Sequence, residues 1–237
     1  MRILHFEQVE STNTLAYRLA EENAADWTVV SAAVQTKGRG RFGKTWESVR
    51  GGLWFSVILR PQVPVDTIRH LQFLAGNSVC EGVEKNVDAA VLLKWPNDLI
   101  LNAHKLGGIL LESKVIGRNP SFVVLGIGVN VNQPKEELPG GATSIFASTG
   151  RMTNLGKLLA SILEGLRENY GMLVEPDDLL KKWWERCQHR SRTVQVENPG
   201  GIIRGVNVGI DGRGYLVVKA LDGSVETVED GTLRIVE

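Results

Sequence analysis

The sequence predicts a mixed α/β (α+β) domain followed by a small all-β unit. Apolar strand-like runs at residues 29–34, 53–59 and 122–131 alternate with amphipathic helical stretches. After Arg190 the helical pattern stops, and short β-like runs recur between turns such as Asp211-Gly-Arg-Gly214 and Asp222-Gly223. A length of 237 residues, with 43% hydrophobic and 23% charged side chains, fits one large soluble domain plus an appendage. These signals divide the chain at residues 1–190 and 191–237.

In chain order, residues 2–9 read as a short strand. Ser11, Thr12, Asn13 and Thr14 then precede Leu15, Ala16, Leu19 and Ala20 at helical spacing, a strong helix start. A helix N-terminus also offers free N–H groups to a ligand, and four small polar residues exceed what one cap needs. A buried strand over 27–34 opens into the run from Gln35 to Trp46. That run holds Lys37, Arg39, Arg41 and Lys44 with Gly38, Gly40 and Gly43 between them. The glycines allow positive φ and close backbone approach, and the arginines supply planar donor forks for carboxylate or phosphate. The run is either an anion-binding loop or a solvated hairpin. Residues 53–59 form the next strand, ended by Arg60-Pro61.

The spacing predicts a helix from about 65 to 85, with Ile68, Leu71, Leu74, Ala75, Val79 and Val83 on one face and His70 off it at the surface. A strand then enters Lys94-Trp95-Pro96-Asn97-Asp98, where proline enforces an extended or turn geometry and Asn and Asp favour a turn. Further strands follow, at 99–101 and 105–112. Lys105 stands just before Gly107 and Gly108 in an apolar strand. Glycine weakens a strand unless something must approach the backbone closely, which draws Lys105 towards a site rather than open surface. In the strand 122–131, Gly126 and Gly128 share one face with Asn130. That bare face suits either a flat ligand or a closely packed helix; the spacing is not a dinucleotide fingerprint. A Pro/Gly/Glu-rich loop spans 133–150, helices follow over 153–173 and from 176, and Trp183-Trp184 reads as packing. The last runs predict a β-barrel of about 45 residues, too small to be very stable unless docked on the main domain.

Lysine plus arginine and aspartate plus glutamate both number 27, which gives no global attraction to nucleic acid or to an anionic membrane. Neither a signal-peptide core nor a bilayer-spanning apolar run is present. Cys80 and Cys187 make no disulfide framework and read as buried fillers of a reduced, cytoplasmic protein.

Ser11-Thr12-Asn13, Lys37-Gly-Arg-Gly-Arg41, Lys94-Trp-Pro-Asn-Asp98, Lys105-Leu-Gly-Gly-Ile109 and Gly126-Ile-Gly-Val-Asn130 occur in the order and spacing of the biotin protein ligases. Nearly the whole chain resembles that family, and Gly209-Ile-Asp-Gly-Arg-Gly214 resembles its SH3-like domain. The resemblance implies a central mixed β-sheet flanked by helices, plus a C-terminal SH3-like β-barrel. It implies a two-step reaction. Biotin and Mg-ATP give biotinyl-5′-AMP and pyrophosphate, and a lysine of a biotin carboxyl carrier protein of acetyl-CoA carboxylase then takes the biotinyl group.

By the same resemblance, Arg39 and Lys105 are catalytic, and Asp98 orients or deprotonates the acceptor amine. Biotin falls to Ser11, Thr12, Asn13, Gln35, Gly38, Arg39, Gly40, Arg41, Lys105, Gly108, Gly126 and Gly128. ATP and the adenylate fall to Arg39, Arg41, Trp46, Lys94, Asn97, Lys105 and Asn130, with Lys94 either pairing with Asp98 or contacting phosphate. Mg2+ is expected as a cofactor, with no ligands identified. The basic loop is expected to close over the adenylate by a disorder-to-order step. Some members carry an N-terminal winged-helix repressor domain; a motif beginning at Ser11 leaves no room for one, so a ligase without repressor function, nucleic-acid partner or membrane partner is expected. Exposed strand edges near the site suit a homodimer or docking of the carrier. Competing readings are a lipoate or octanoyl transfer enzyme, a nucleic-acid-binding module and a non-catalytic biotin sensor.

Overall fold

The computed structural model describes residues 1–236. Strand β1 (Arg2–Val9) and strand β2 (Thr28–Gln35) pair in parallel, since helix α1 (Thr12–Glu21) carries the chain back between them. Strand β3 (Leu53–Leu59) returns antiparallel to β2. Helix α2 spans His70–Asn86 rather than starting near residue 65, because Pro64 leads into a separate tight turn at Val65–Thr67. Strands β4 (Leu92–Lys94), β5 (Asp98–Leu101), β6 (His104–Ile116) and β7 (Asn119–Val129) complete a seven-stranded mixed sheet of order β1-β2-β3-β7-β6-β5-β4.

The two faces of the sheet are covered unequally. Short helix α3 (Ile145–Thr149) is capped by Ser144; helix α4 (Leu155–Glu168) and helix α5 (Asp177–Glu185) follow. With α2, α4 and α5 close one face over Phe55, Val57, Leu125 and Val123. Helix α1 covers part of the other face through Ala16 and Ala20, against Val30, Ile58 and Val124. Val57 and Ile58 point to opposite sides, as the pleat requires.

The C-terminal unit holds strands β8 (Thr193–Asn198), β9 (Gly201–Ile210), β10 (Leu216–Ala220), β11 (Val225–Val228) and β12 (Thr232–Ile235). They form one antiparallel sheet, β11-β10-β9-β8-β12, whose hydrogen-bonded ladder stays open between β11 and β12 among the described residues. Its Val194, Val196, Leu216 and Leu233 join the core of the main domain. The turn at 211–214 lands on α2, where the ring Nε2 of His70 lies 3.0 Å from Gly212 O. His70 is therefore buried, not at the surface, and burial pushes its pKa down. Cys80 and Cys187 are buried and unpaired, with thiols pushed up to about 12 by burial. Among the described residues no helix is long and apolar enough to cross a membrane.

Candidate active site

One wall of the site is neutral. Ser11 Oγ caps α1 by accepting the Thr14 N–H at 3.4 Å. Thr12 donates both its N–H and its hydroxyl to Gln35 Oε1, at 2.7 and 3.0 Å, and Gln35 Nε2 donates to Ser48 Oγ at 2.7 Å. Ser56 Oγ lies 2.8 Å from the Thr12 hydroxyl and 2.5 Å from Asn13 Oδ1. Gly126 sits beneath Asn13: a Cβ there would lie 2.0 Å from Asn13 Oδ1. Close helix packing thus accounts for this glycine. Gly128 makes room instead for the Trp46 indole, whose Nε1 would be 2.9 Å from an added Cβ.

The opposite wall is charged. The basic run is a folded hairpin, with Trp46 N–H donating to Gly38 O at 2.9 Å and Gly40 N–H to Lys44 O at 2.7 Å. Phe42 (φ 55°) and Gly43 (φ 71°) turn its tip. Arg39 donates to both oxygens of Glu112, at 2.9 and 3.1 Å. Arg41 donates to Asn97 Oδ1 at 3.0 Å and pairs with Asp230 of the C-terminal unit. Lys105 Nζ is 2.6 Å from Asp98 Oδ1 and 5.3 Å from the Trp46 ring centre, a cation–π distance. Lys94 is without an ion pair among the described residues, because Lys105 holds the Asp98 carboxylate. Burial pushes the Lys94 pKa down; Asp98 opposes that shift, while Lys105 and Arg234 add to it. Lys37 points away to exposed Glu10.

Between the walls lies a cavity of about 420 Å³, within the range of small-molecule sites. All the predicted site residues line it except Gly38. That glycine is buried beneath the hairpin, where a Cβ would meet Trp46 O at 2.3 Å, so its role is to let the strands approach. Asn130 lines the cavity with its amide nitrogen donated to Thr143 O at 2.9 Å. Among the described residues, no group of three His, Cys, Asp or Glu is gathered to hold a metal ion.

The sequence reading missed Glu112, Asp230 and the cavity-lining stretches 137–142 and 231–233. Glu112 had a usable signal, since it shares a strand face with Gly108 and Leu110. Asp230 had none: its partner Arg41 is 189 residues away. Chemically, the arrangement offers a fixed neutral hydrogen-bonding wall at one end and converging cations at the other. It suits a substrate with a neutral polar head and a reaction that brings anions together.

Comparison with known proteins agrees. A model described as the biotin/lipoate A/B protein ligase family matches residues 5–130, and one described as the biotin protein ligase C terminal domain matches residues 192–232. The biotin–[acetyl-CoA-carboxylase] ligase of Mycobacterium tuberculosis is 34% identical over 220 residues, covering 88% of this chain and 80% of that protein. The bifunctional ligase/repressor BirA of Bacillus subtilis is 32% identical over 233 residues, covering 93% and 70%. The biotin protein ligase of Aquifex aeolicus, solved in complex with biotin and ATP, superposes with a TM-score of 0.86 at 29% identity, covering 99% of each chain.

Proposed function

Because this chain belongs to the biotin/lipoate A/B protein ligase family, we propose that its cavity joins biotin to ATP and hands the biotinyl group to a protein lysine. It is an ATP-dependent biotin–[acetyl-CoA-carboxylase] ligase. In the first step a biotin carboxylate oxygen attacks the α-phosphorus of ATP and expels pyrophosphate. In the second, an acceptor amine attacks the carbonyl carbon of the mixed anhydride, loses a proton and releases AMP.

The observation that carries this reading is the convergence of Arg39, Arg41 and Lys105 opposite the Thr12–Gln35–Ser48–Ser56 network. Thr12 and Gln35 recognise the neutral ureido head of biotin. Arg39 and Lys105 offset the charge that gathers where carboxylate meets phosphate, and Arg41 holds the adenylate. Trp46, already beside Lys105, shields the anhydride from water. Asn97 and Asn130 contact the nucleotide, and Lys94 contacts phosphate. Asp98 orients or accepts a proton from the acceptor amine once Lys105 turns to substrate. Mg2+ would come as the metal complex of ATP and would offset phosphate charge there. The hairpin closes over the adenylate as Arg39, Arg41 and Lys105 exchange their carboxylate partners for substrate.

The C-terminal match favours biotin over lipoate. Buried, unpaired cysteines fit a reducing cytoplasm. Strand β1 ends the main sheet and offers an edge to a second copy or to the carrier protein; sedimentation with and without carrier separates the two. The test of function is exchange of labelled pyrophosphate into ATP, with biotin, lipoate and octanoate in parallel. Exchange with biotin alone is expected, followed by labelling of an apo carrier domain. Exchange with lipoate alone would overturn the specificity, and exchange with no acid would overturn the adenylation.

A further inference from the structure

The charged wall ends at the turn 94–98 between β4 and β5, whose Lys94, Asn97 and Asp98 line the cavity. This turn is braced from behind. The stretch leading out of α5 runs alongside β4: Leu93 N–H donates to Arg186 O at 2.9 Å, and Gln188 N–H donates to Leu93 O at 2.8 Å. At the end of that stretch His189 is wholly buried. Its Nε2 accepts the backbone N–H of Trp95 at 2.9 Å. Its Nδ1 lies 2.6 Å from the side-chain Nδ2 of Asn207, on β9; with Nε2 the acceptor, Nδ1 carries the proton, and exchanging the amide oxygen and nitrogen lets Asn207 accept it. Trp95 is held by the same C-terminal unit a second time, donating its Nε1–H to Gly214 O at 3.2 Å. One imidazole therefore links the backbone of the turn to the neighbouring unit.

We propose that His189 is a positioning residue for adenylation, holding the Trp95 peptide so that Lys94 and Asp98, on either side of it, project into the cavity. This rests on the reading of that cavity as the adenylating site. The imidazole must stay neutral to hold the peptide, because a protonated ring would set an N–H against the Trp95 N–H. Burial, helped by the charge of Lys94, pushes His189 down to about 3, so Nε2 remains an acceptor at any working pH. Positioning matters here because a misplacement of about 1 Å costs on the order of 100-fold in rate. The neutral wall stands apart from this brace. Gln35 is on β2 and Asp98 on β5, four strand spacings away, or roughly 19 Å. Biotin binding therefore need not depend on His189.

The test compares His189→Gln, whose amide oxygen can accept the same N–H, with His189→Met, of similar size and with only a weakly accepting thioether. Biotin affinity by calorimetry, kcat and KM for ATP in biotin-dependent pyrophosphate exchange, and thermal unfolding are measured on each. The expected result is biotin affinity within about twofold of wild type in both variants, kcat lowered about 10–100-fold in His189→Met, and kcat largely restored in His189→Gln. If His189→Met does not fold, Asn207→Ala removes the outer brace alone and is expected to lower kcat about 3–10-fold at unchanged biotin affinity. A folded His189→Met or Asn207→Ala with wild-type kcat overturns the proposal. Equal impairment of the Gln and Met variants, or biotin affinity that falls in step with kcat, does so too. Wild-type protein without biotin-dependent exchange would instead overturn the adenylation reading, and this proposal with it.

Discussion

On the side of α1, β2 and β3 the cavity is walled by neutral groups that hydrogen-bond one another, with Asn13 Nδ2 donating across to Glu112 at 2.8 Å. On the side of the hairpin and the β4–β5 turn it is walled by cations, three of them already held by carboxylates. The groups of the neutral wall are held in place by hydrogen bonds to one another. On the proposed function the charged wall changes partners: Arg39 exchanges Glu112, Arg41 exchanges Asp230 and Lys105 exchanges Asp98 for the substrate carboxylate and phosphates. Exposure decides how readily each lets go. The Arg39 and Lys105 side chains are 46% and 39% exposed, so their pairs are screened and weak; Arg41 is 19% exposed and the most firmly held. On the proposed function, specificity is assigned to the neutral wall and chemistry to the charged one.

The largest expected effect breaks the charged wall alone. Lys105→Ala should lower kcat for pyrophosphate exchange by about 10²–10³ while biotin affinity stays within a few-fold, measured by steady-state exchange beside calorimetry.

Next comes the pH response of the brace behind that wall. His189 titrates at about 3 in the fold against an ordinary 6.5. The unfolded chain takes the proton more readily, so this contribution is intact above about pH 6.5 and is lost as pH falls towards 3. Unfolding free energy should drop by about 3 kcal/mol from this group between pH 7 and pH 4, and His189→Gln should flatten the slope in urea titrations.

Gln35→Leu sharpens the comparison from the other side. It leaves the Thr12 N–H and hydroxyl without their acceptor and should weaken biotin about 10–100-fold, with kcat at saturating biotin nearly unchanged. Glu112→Gln removes the countercharge of Arg39 and should shift kcat by less than about tenfold, since the pair is half exposed. Lys37→Ala is the control: its partner Glu10 is exposed and neither lines the cavity, so no change in either parameter is expected.

Much of this was legible in the sequence, for local reasons. The strand at Leu53–Leu59, the Ser11 cap and the turn at 94–98 follow from a short apolar run, capping chemistry and proline. Gly126 and Gly128 announced a close approach, although the sequence could not say that Asn13 and Trp46 were the approaching groups. What stayed hidden depends on contacts between distant parts of the chain. His70 is buried because the turn at 211–214 covers it, and nothing near residue 70 records that. Asp230 looks like an ordinary turn residue until the C-terminal unit docks and sets it against Arg41. Gly38 has the composition of a ligand loop, but its backbone is turned into the hairpin.

The division between the walls is tested most directly by measuring biotin affinity and exchange kcat side by side in Gln35→Leu and Lys105→Ala. The account predicts a crossed result: affinity lost and turnover kept in the first, turnover lost and affinity kept in the second. Affinity and turnover falling together in both variants would contradict it, and would mean that the cavity works as one undivided site.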